Sequence, residues 1–226
     1  MAGRTEHGIQ PGSKPSTLPA SYLTTTLMTK IVLLFGLLSL TVGLGCKGKS
    51  NSASRVIVIQ PFSDINSLLI DTILGQIKKT GYKVYIKPVM ALPTNAFYPV
   101  RGRYRADSLI RMLSQSASSD TVVIGLTEKD ISVTKGQVQD WGVMGLGYCP
   151  GTACIVSTYR LSKRNLYQQF YKVAFHELGH TQGLQHCTNK TCFMRDAEGG
   201  NPLDQEKGFC TSCKAFLTKR GWTVTD

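Results

Sequence analysis

The sequence predicts a layered α/β fold, and three observations predict it. Apolar β-branched runs alternate with helix-spaced segments through the first half of the folded region. A longer helical pattern follows. The C-terminal stretch is Gly-rich, Cys-containing and poor in periodicity, so a constraint other than regular structure must order it.

Residues 56–59, Val-Ile-Val-Ile, read as a buried strand. Ser63 or Asp64 caps the next segment, a helix in which Ile65, Leu69, Ile73 and Ile77 recur every four residues, and Gly81 ends it. Residues 83–89 alternate as a second strand. Leu109, Ile110 and Leu113 give residues 106–113 helical spacing, and residues 121–126 form a third apolar strand. The order β-α-β-α-β implies a layered sheet. Between residues 143 and 161, strand-like runs are broken by Gly and Pro, which predicts a short edge hairpin or a bulged strand. A long helix starts after Ser162, buries Leu166, Phe170, Val173 and Ala174, and runs to about Gln182, where Gly183 takes the left-handed cap. There is no internal repeat.

Before the fold, residues 31–44 are an almost unbroken apolar stretch preceded by Lys30 and followed by Gly45 and Cys46. The run falls short of the roughly 20 residues needed to span a bilayer, and its flanks match a signal peptide. Read from Met28, the order of basic start, apolar run, small residues and Cys is similar to a lipoprotein signal in which Cys46 becomes the lipidated residue, although Gly43 stands where a larger aliphatic residue is usual. The expected organisation is a non-structural or mis-assigned extension over residues 1–27, a signal peptide over 28–46, a polar basic linker over 47–54 and one domain over 55–226. The expected location is the outside of the cell membrane, held by a lipid anchor, with simple secretion or the periplasm as the alternative.

The chain carries 26 Lys and Arg against 14 Asp and Glu, a formal charge of +12. The basic residues are dispersed without a run longer than two, which argues for a solvated surface rather than nucleic-acid binding. Arg101, Arg103, Tyr104 and Arg105 are the densest cluster, placed to meet a substrate carboxylate or solvent. Tyr159 and Arg160 precede the long helix and serve either the site or its packing. A monomer is expected.

The segment HELGHTQGLQH, from His176 to His186, carries the chemistry. On a helix His176 and His180 lie about 40° apart and one turn displaced, so both imidazoles reach one ion. Glu177 projects beside them, close to a metal without having to bind it, which suits a carboxylate that takes a proton from water. Gly183 lets the chain turn and deliver His186 from another direction. With four His and five Glu in the chain, HExxH alone arises by chance roughly once in a thousand such sequences, so the longer pattern is no accident. Every His except His7 lies in it.

His186 is followed at once by Cys187, then Cys192, Met194, and the pair Cys210 and Cys213. Spacing alone allows these four Cys to form either a tetrahedral zinc site or two disulfides. The ordered set HExxHxxGxxHC, CxM and CxxC resembles the archaemetzincins, a family of zinc metallopeptidases. The resemblance extends from about Arg55 to the C-terminus and is most specific over residues 154–213. It implies a metzincin-like mixed twisted sheet with packed helices, an active-site helix carrying HExxH, a short zinc-stabilised C-terminal subdomain and two Zn2+ per chain. His176, His180 and His186 match the catalytic ligands, Glu177 the general base, Met194 the methionine turn, and Cys187, Cys192, Cys210 and Cys213 a structural zinc site. It also implies an edge strand that pairs with an extended peptide, for which GTACIVST is the best candidate. The interval from Met194 to Cys210 is shorter than is usual in the family, and Cys149 and Cys154 lie outside its metal pattern, closing a small disulfide or remaining free. The expected function is hydrolysis of peptide bonds; the alternative is a zinc-stabilised, catalytically silent binding protein of the cell envelope.

Overall fold

The computed structural model describes residues 56–224. The expected extension, signal peptide with Cys46, and linker lie outside the described residues. Nine strands and four α-helices are described, in the order β1 (Val56–Pro61), α1 (Ser67–Lys78), β2 (Val84–Ile86), β3 (Phe97–Tyr98), β4 (Arg103–Arg105), α2 (Ala106–Gln115), β5 (Thr121–Thr127), β6 (Ile131–Lys135), β7 (Val138–Val143), β8 (Gly145–Gly147), β9 (Ala153–Ser157), α3 (Leu166–Thr181) and α4 (Thr211–Thr218).

The main sheet has the order β2-β1-β5-β9-β8. Its first four strands are parallel, and β8 is added antiparallel at the edge, with Gly145 opposite Val156 and Gly147 opposite Cys154. Alternation sorts its side chains into two cores. Ile57, Ile59, Val122, Ile124, Leu126, Cys154 and Val156 face α1 and α3, meeting Leu69, Ile73, Ile77, Phe170, Val173 and Ala174. Val123, Ala153 and Ile155 point the other way and meet Leu109, Ile110 and Leu113 of α2. The α/β expectation therefore holds as helices on both faces of a mixed sheet.

Several local expectations shift. The cap of α1 is Asn66, whose side chain accepts from Leu68 N at 2.8 Å. Asp64 is engaged elsewhere, its carboxylate accepting from Thr127 Oγ1 at 2.9 Å and from the backbone N–H of Glu128. The second strand is only Val84–Ile86, because Pro88 has no N–H to continue the ladder. The segment GTACIVST is not the edge. As β9 it pairs with β5 on one side and β8 on the other, and all five of its residues are buried. An unbroken apolar run is what a strand covered on both faces requires, so the edge falls to the Gly-containing β8. A second sheet, β3-β4-β6-β7, has no counterpart in the sequence reading.

Candidate active site

Helix α3 is anchored by the burial of Phe170, Val173, Ala174 and Leu178 against the main sheet. It ends where the chain must turn, and Gly183 there has φ of 99°. The turn brings His186 back towards the helix. Its ring centroid lies 5.3 Å from that of His176 and 4.9 Å from that of His180. One ligand atom from each of the three histidines lies within 4.8 Å of the others, a group able to hold a metal ion.

The imidazoles are oriented by backbone carbonyls. His176 Nδ1 stands 2.6 Å from Phe193 O and His180 Nδ1 stands 2.7 Å from Leu184 O. A carbonyl only accepts, so Nδ1 carries the proton in each ring and Nε2 carries a lone pair. The two Nε2 atoms stand 2.9 Å apart. Two lone pairs converging at that distance repel unless a cation lies between them, so the donor set fits a metal. Burial, with the repulsion that protonating both His176 and His180 would bring, pushes His176 down to about 3, and burial lowers His180 as well. Both rings are thus neutral, the form that ligates. The half-exposed His186 has Nδ1 3.3 Å from Asp196 Oδ2, which orients the third ring.

Glu177 is buried, and burial pushes its carboxyl up to about 8. It lies against the edge strand. A Cβ added at Gly145 would stand 2.6 Å from Glu177 Cγ and Oε1, and one at Gly147 would stand 3.2 Å from Oε2. The two glycines of β8 are therefore what lets this carboxylate sit between helix and edge. Met194 is fully buried beneath the helix, its Sδ 2.6 Å from where a Cβ of Gly179 would be.

Cys187, Cys192, Cys210 and Cys213 form a second group, again with ligand atoms within 4.8 Å of one another. All four are free thiols, and Cys187 Sγ and Cys210 Sγ are 3.7 Å apart, far beyond a disulfide bond of about 2.05 Å. Backbone N–H groups of Met194 and Cys210 donate to Cys192 Sγ at 3.5 and 3.3 Å, and that of Asn189 to Cys187 Sγ at 3.5 Å. Burial works to raise the Cys210 thiol, but hydrogen bonds from Ser212, Cys213 and Cys187 bring it down to about 6. Four sulfur atoms, one favoured as thiolate and three of them accepting or sharing hydrogen bonds, suit a closed tetrahedral site. The two groups adjoin through His186 and Cys187, and Cys187 N–H donates to Met194 O at 2.7 Å.

The remaining candidates are placed differently. Cys149 and Cys154 are both free: Cys154 is buried in β9, while Cys149 is exposed with its thiol 3.2 Å from Leu184 O. The basic cluster before α2 divides: Arg101 faces solvent beside Asp140 at 3.5 Å, while Arg103 and Arg105 are half-buried in ion pairs. Arg103 pairs with Asp130 at 2.6 Å and Asp140 at 2.9 Å, and Arg105 pairs with Asp107 at 3.3 Å. Arg160 joins the same network, its guanidinium 2.8 Å from Asp130 Oδ1 and 2.9 Å from Oδ2. Tyr159 is exposed.

A cavity of about 620 Å3 runs along β8 and α3, lined by Gly145, Gly147, His176, Glu177, His180 and His186 and closed on its far wall by the segment after Met194. Sequence reasoning missed Glu206 in that wall. The residue is buried, and nothing in its local sequence marks it.

A family model described as "Peptidase family M54" matches residues 60–219. The archaemetzincin of Halobacterium salinarum is 33% identical over 145 residues, covering 58% of this chain and 81% of its own. That of Archaeoglobus fulgidus is 31% identical over 166 residues, covering 71% and 98%. Among solved structures, the A. fulgidus archaemetzincin complexed with malonate superimposes with TM-score 0.61 at 28% identity over 71% of this chain and 98% of that one. The Methanopyrus kandleri archaemetzincin does so with TM-score 0.63 at 29% identity over 74% and 96%.

Proposed function

The chain belongs to peptidase family M54, the archaemetzincins, and is a zinc metallopeptidase; within that class we propose that His176, His180 and His186 hold the catalytic zinc and that Glu177 is the general base. The observation that carries the assignment is the convergence of two unprotonated Nε2 atoms 2.9 Å apart beside a buried carboxyl. Zinc held there supplies a Lewis acid for a scissile carbonyl and for water. Glu177 takes the proton from the attacking water and passes it to the nitrogen of the departing amine. Gly145 and Gly147 hold the carboxylate against the edge of the sheet, and the free side of β8 pairs with the backbone of an extended peptide, so that the bond to be cut lies alongside Glu177. Met194 supports the helix from below.

Cys187, Cys192, Cys210 and Cys213 hold a second, structural zinc, which orders a segment with little regular structure and fixes the backbone that delivers His186. The apolar run over residues 31–44 and the following Cys46 support an exported enzyme tethered to the cell envelope by lipid; loss of the chain from the membrane fraction on Cys46→Ser would bear this out, and unchanged fractionation would refute it. The catalytic assignment is tested by Glu177→Gln. The expected result is full zinc content with hydrolysis of a fluorogenic peptide reduced by about 10²- to 10⁴-fold. Unreduced hydrolysis removes Glu177 as the base.

A further inference from the structure

The wall of the cleft opposite β8 holds a buried carboxylate that the mechanism does not use. Glu206 is 3% exposed, yet its Oε2 has no hydrogen-bond partner among the described residues. Lys172 Nζ does not meet it, donating instead to the carbonyls of Leu203 and Glu206 at 2.6 and 2.7 Å. A buried carboxylate oxygen without a donor is costly, and native structures keep few of them without a reason.

Its surroundings say what it is placed to meet. Glu206 lines the same cavity as His176 and Glu177, together with Val173, Pro202 and Leu203. Val173 stands one turn before Glu177 on α3, so its side chain and the reacting groups share a helix face. The approach to Glu206 is thus apolar along the sides these residues form and ends at the Glu206 carboxyl, with Arg195 elsewhere in the lining. That shape matches a side chain with an aliphatic stem and a cationic head. We propose that Glu206 determines specificity in this cleft, its carboxylate receiving the ammonium or guanidinium of a Lys or Arg side chain of the bound peptide. The proposal rests on the reading of the cleft as a peptidase site.

The test uses the zinc-loaded chain from Lys47 and matched peptides that differ only in Lys or norleucine at one position beside the cleaved bond. The expected ratio of kcat/KM, Lys over norleucine, is about 10 to 100 at one position, the size of a charge-assisted hydrogen bond. Glu206→Gln should bring that ratio close to one, and Glu206→Asp should leave it intermediate. A second reading needs no turnover: calorimetric binding of the same peptides to the Glu177→Gln protein should favour the Lys peptide by a similar factor, and the double variant should lose the preference. If Glu206→Gln does not fold, Glu206→Asp decides: a Lys preference it leaves unchanged overturns the proposal. Equal cleavage and equal binding of the paired peptides, or a Lys preference unmoved by Glu206→Gln, overturn the proposal while leaving the peptidase reading intact. A zinc-loaded chain that cleaves no peptide overturns that reading, and the proposal with it.

Discussion

A metal site needs ligand atoms aimed at one point, and here the aim comes from two carbonyls. Phe193 O and Leu184 O fix the tautomers of His176 and His180 and turn both Nε2 atoms inward. The three histidines that the fold brings together were legible in the sequence, because metal chemistry admits few residue types and a helix dictates the interval from His176 to His180. Glu206 was not legible: its exposure depends on how the segment after Met194 folds back over α3. Its burial has a consequence for stability. Burial pushes its carboxyl from 4.5 up to about 7, against the lowering influence of Lys172 and Arg195. Between those values the folded chain keeps a proton that the unfolded chain has released, so stability falls as pH rises from about 4.5 to 7 and stays lowered above. Glu206→Gln has no such proton. Thermal denaturation should therefore show the variant gaining on the wild type between about pH 4.5 and 7, whereas a gap that does not change with pH would contradict the burial effect.

Among the elements, the strand most visible in the sequence was assigned the wrong place. The run Ala-Cys-Ile-Val-Ser is the most strand-like of its region, yet that very continuity suits a strand buried on both faces. The true edge, Gly-Leu-Gly, is three residues long and reads as a loop. What marks it is contact with Glu177, which no local pattern encodes. Gly145→Ala places a methyl group 2.6 Å from Glu177 Oε1, so the carboxylate must move. We expect kcat/KM to fall by about 10²-fold with zinc retained; an unchanged rate constant would dissociate the edge strand from catalysis. The cysteine segment makes a parallel prediction. Cys213→Ser should reduce the zinc content from two ions per chain to one, lower stability by several kcal/mol in chemical denaturation and weaken retention of the remaining zinc, because Cys187 adjoins His186. Two zinc ions in that variant would refute the structural site.

For the molecule as a whole, the β-α-β-α-β order was readable from periodicity, whereas the small sheet β3-β4-β6-β7 was hidden. Its first two strands are only two and three residues long, Tyr104, Ile131, Val133 and Val143 join the core around α2, and Arg103 and Arg160, far apart in sequence, meet at Asp130. Charges dispersed along a chain look like solvated surface until the fold brings them together. The same network ties the small sheet to the turn before α3, so the cleft is built by both sheets and the C-terminal segment jointly.

We propose that this cleft cuts peptides with zinc and Glu177. Zinc analysis of the chain from Lys47, combined with mass spectrometry of a peptide library it has digested and with Glu177→Ala as the control, tests it most directly. The expected result is two zinc ions per chain, discrete cleavage products from the wild type and none from the variant. Two zinc ions with no cleavage under any condition, as expected of a zinc-stabilised binding protein, or products formed equally by Glu177→Ala, would contradict it.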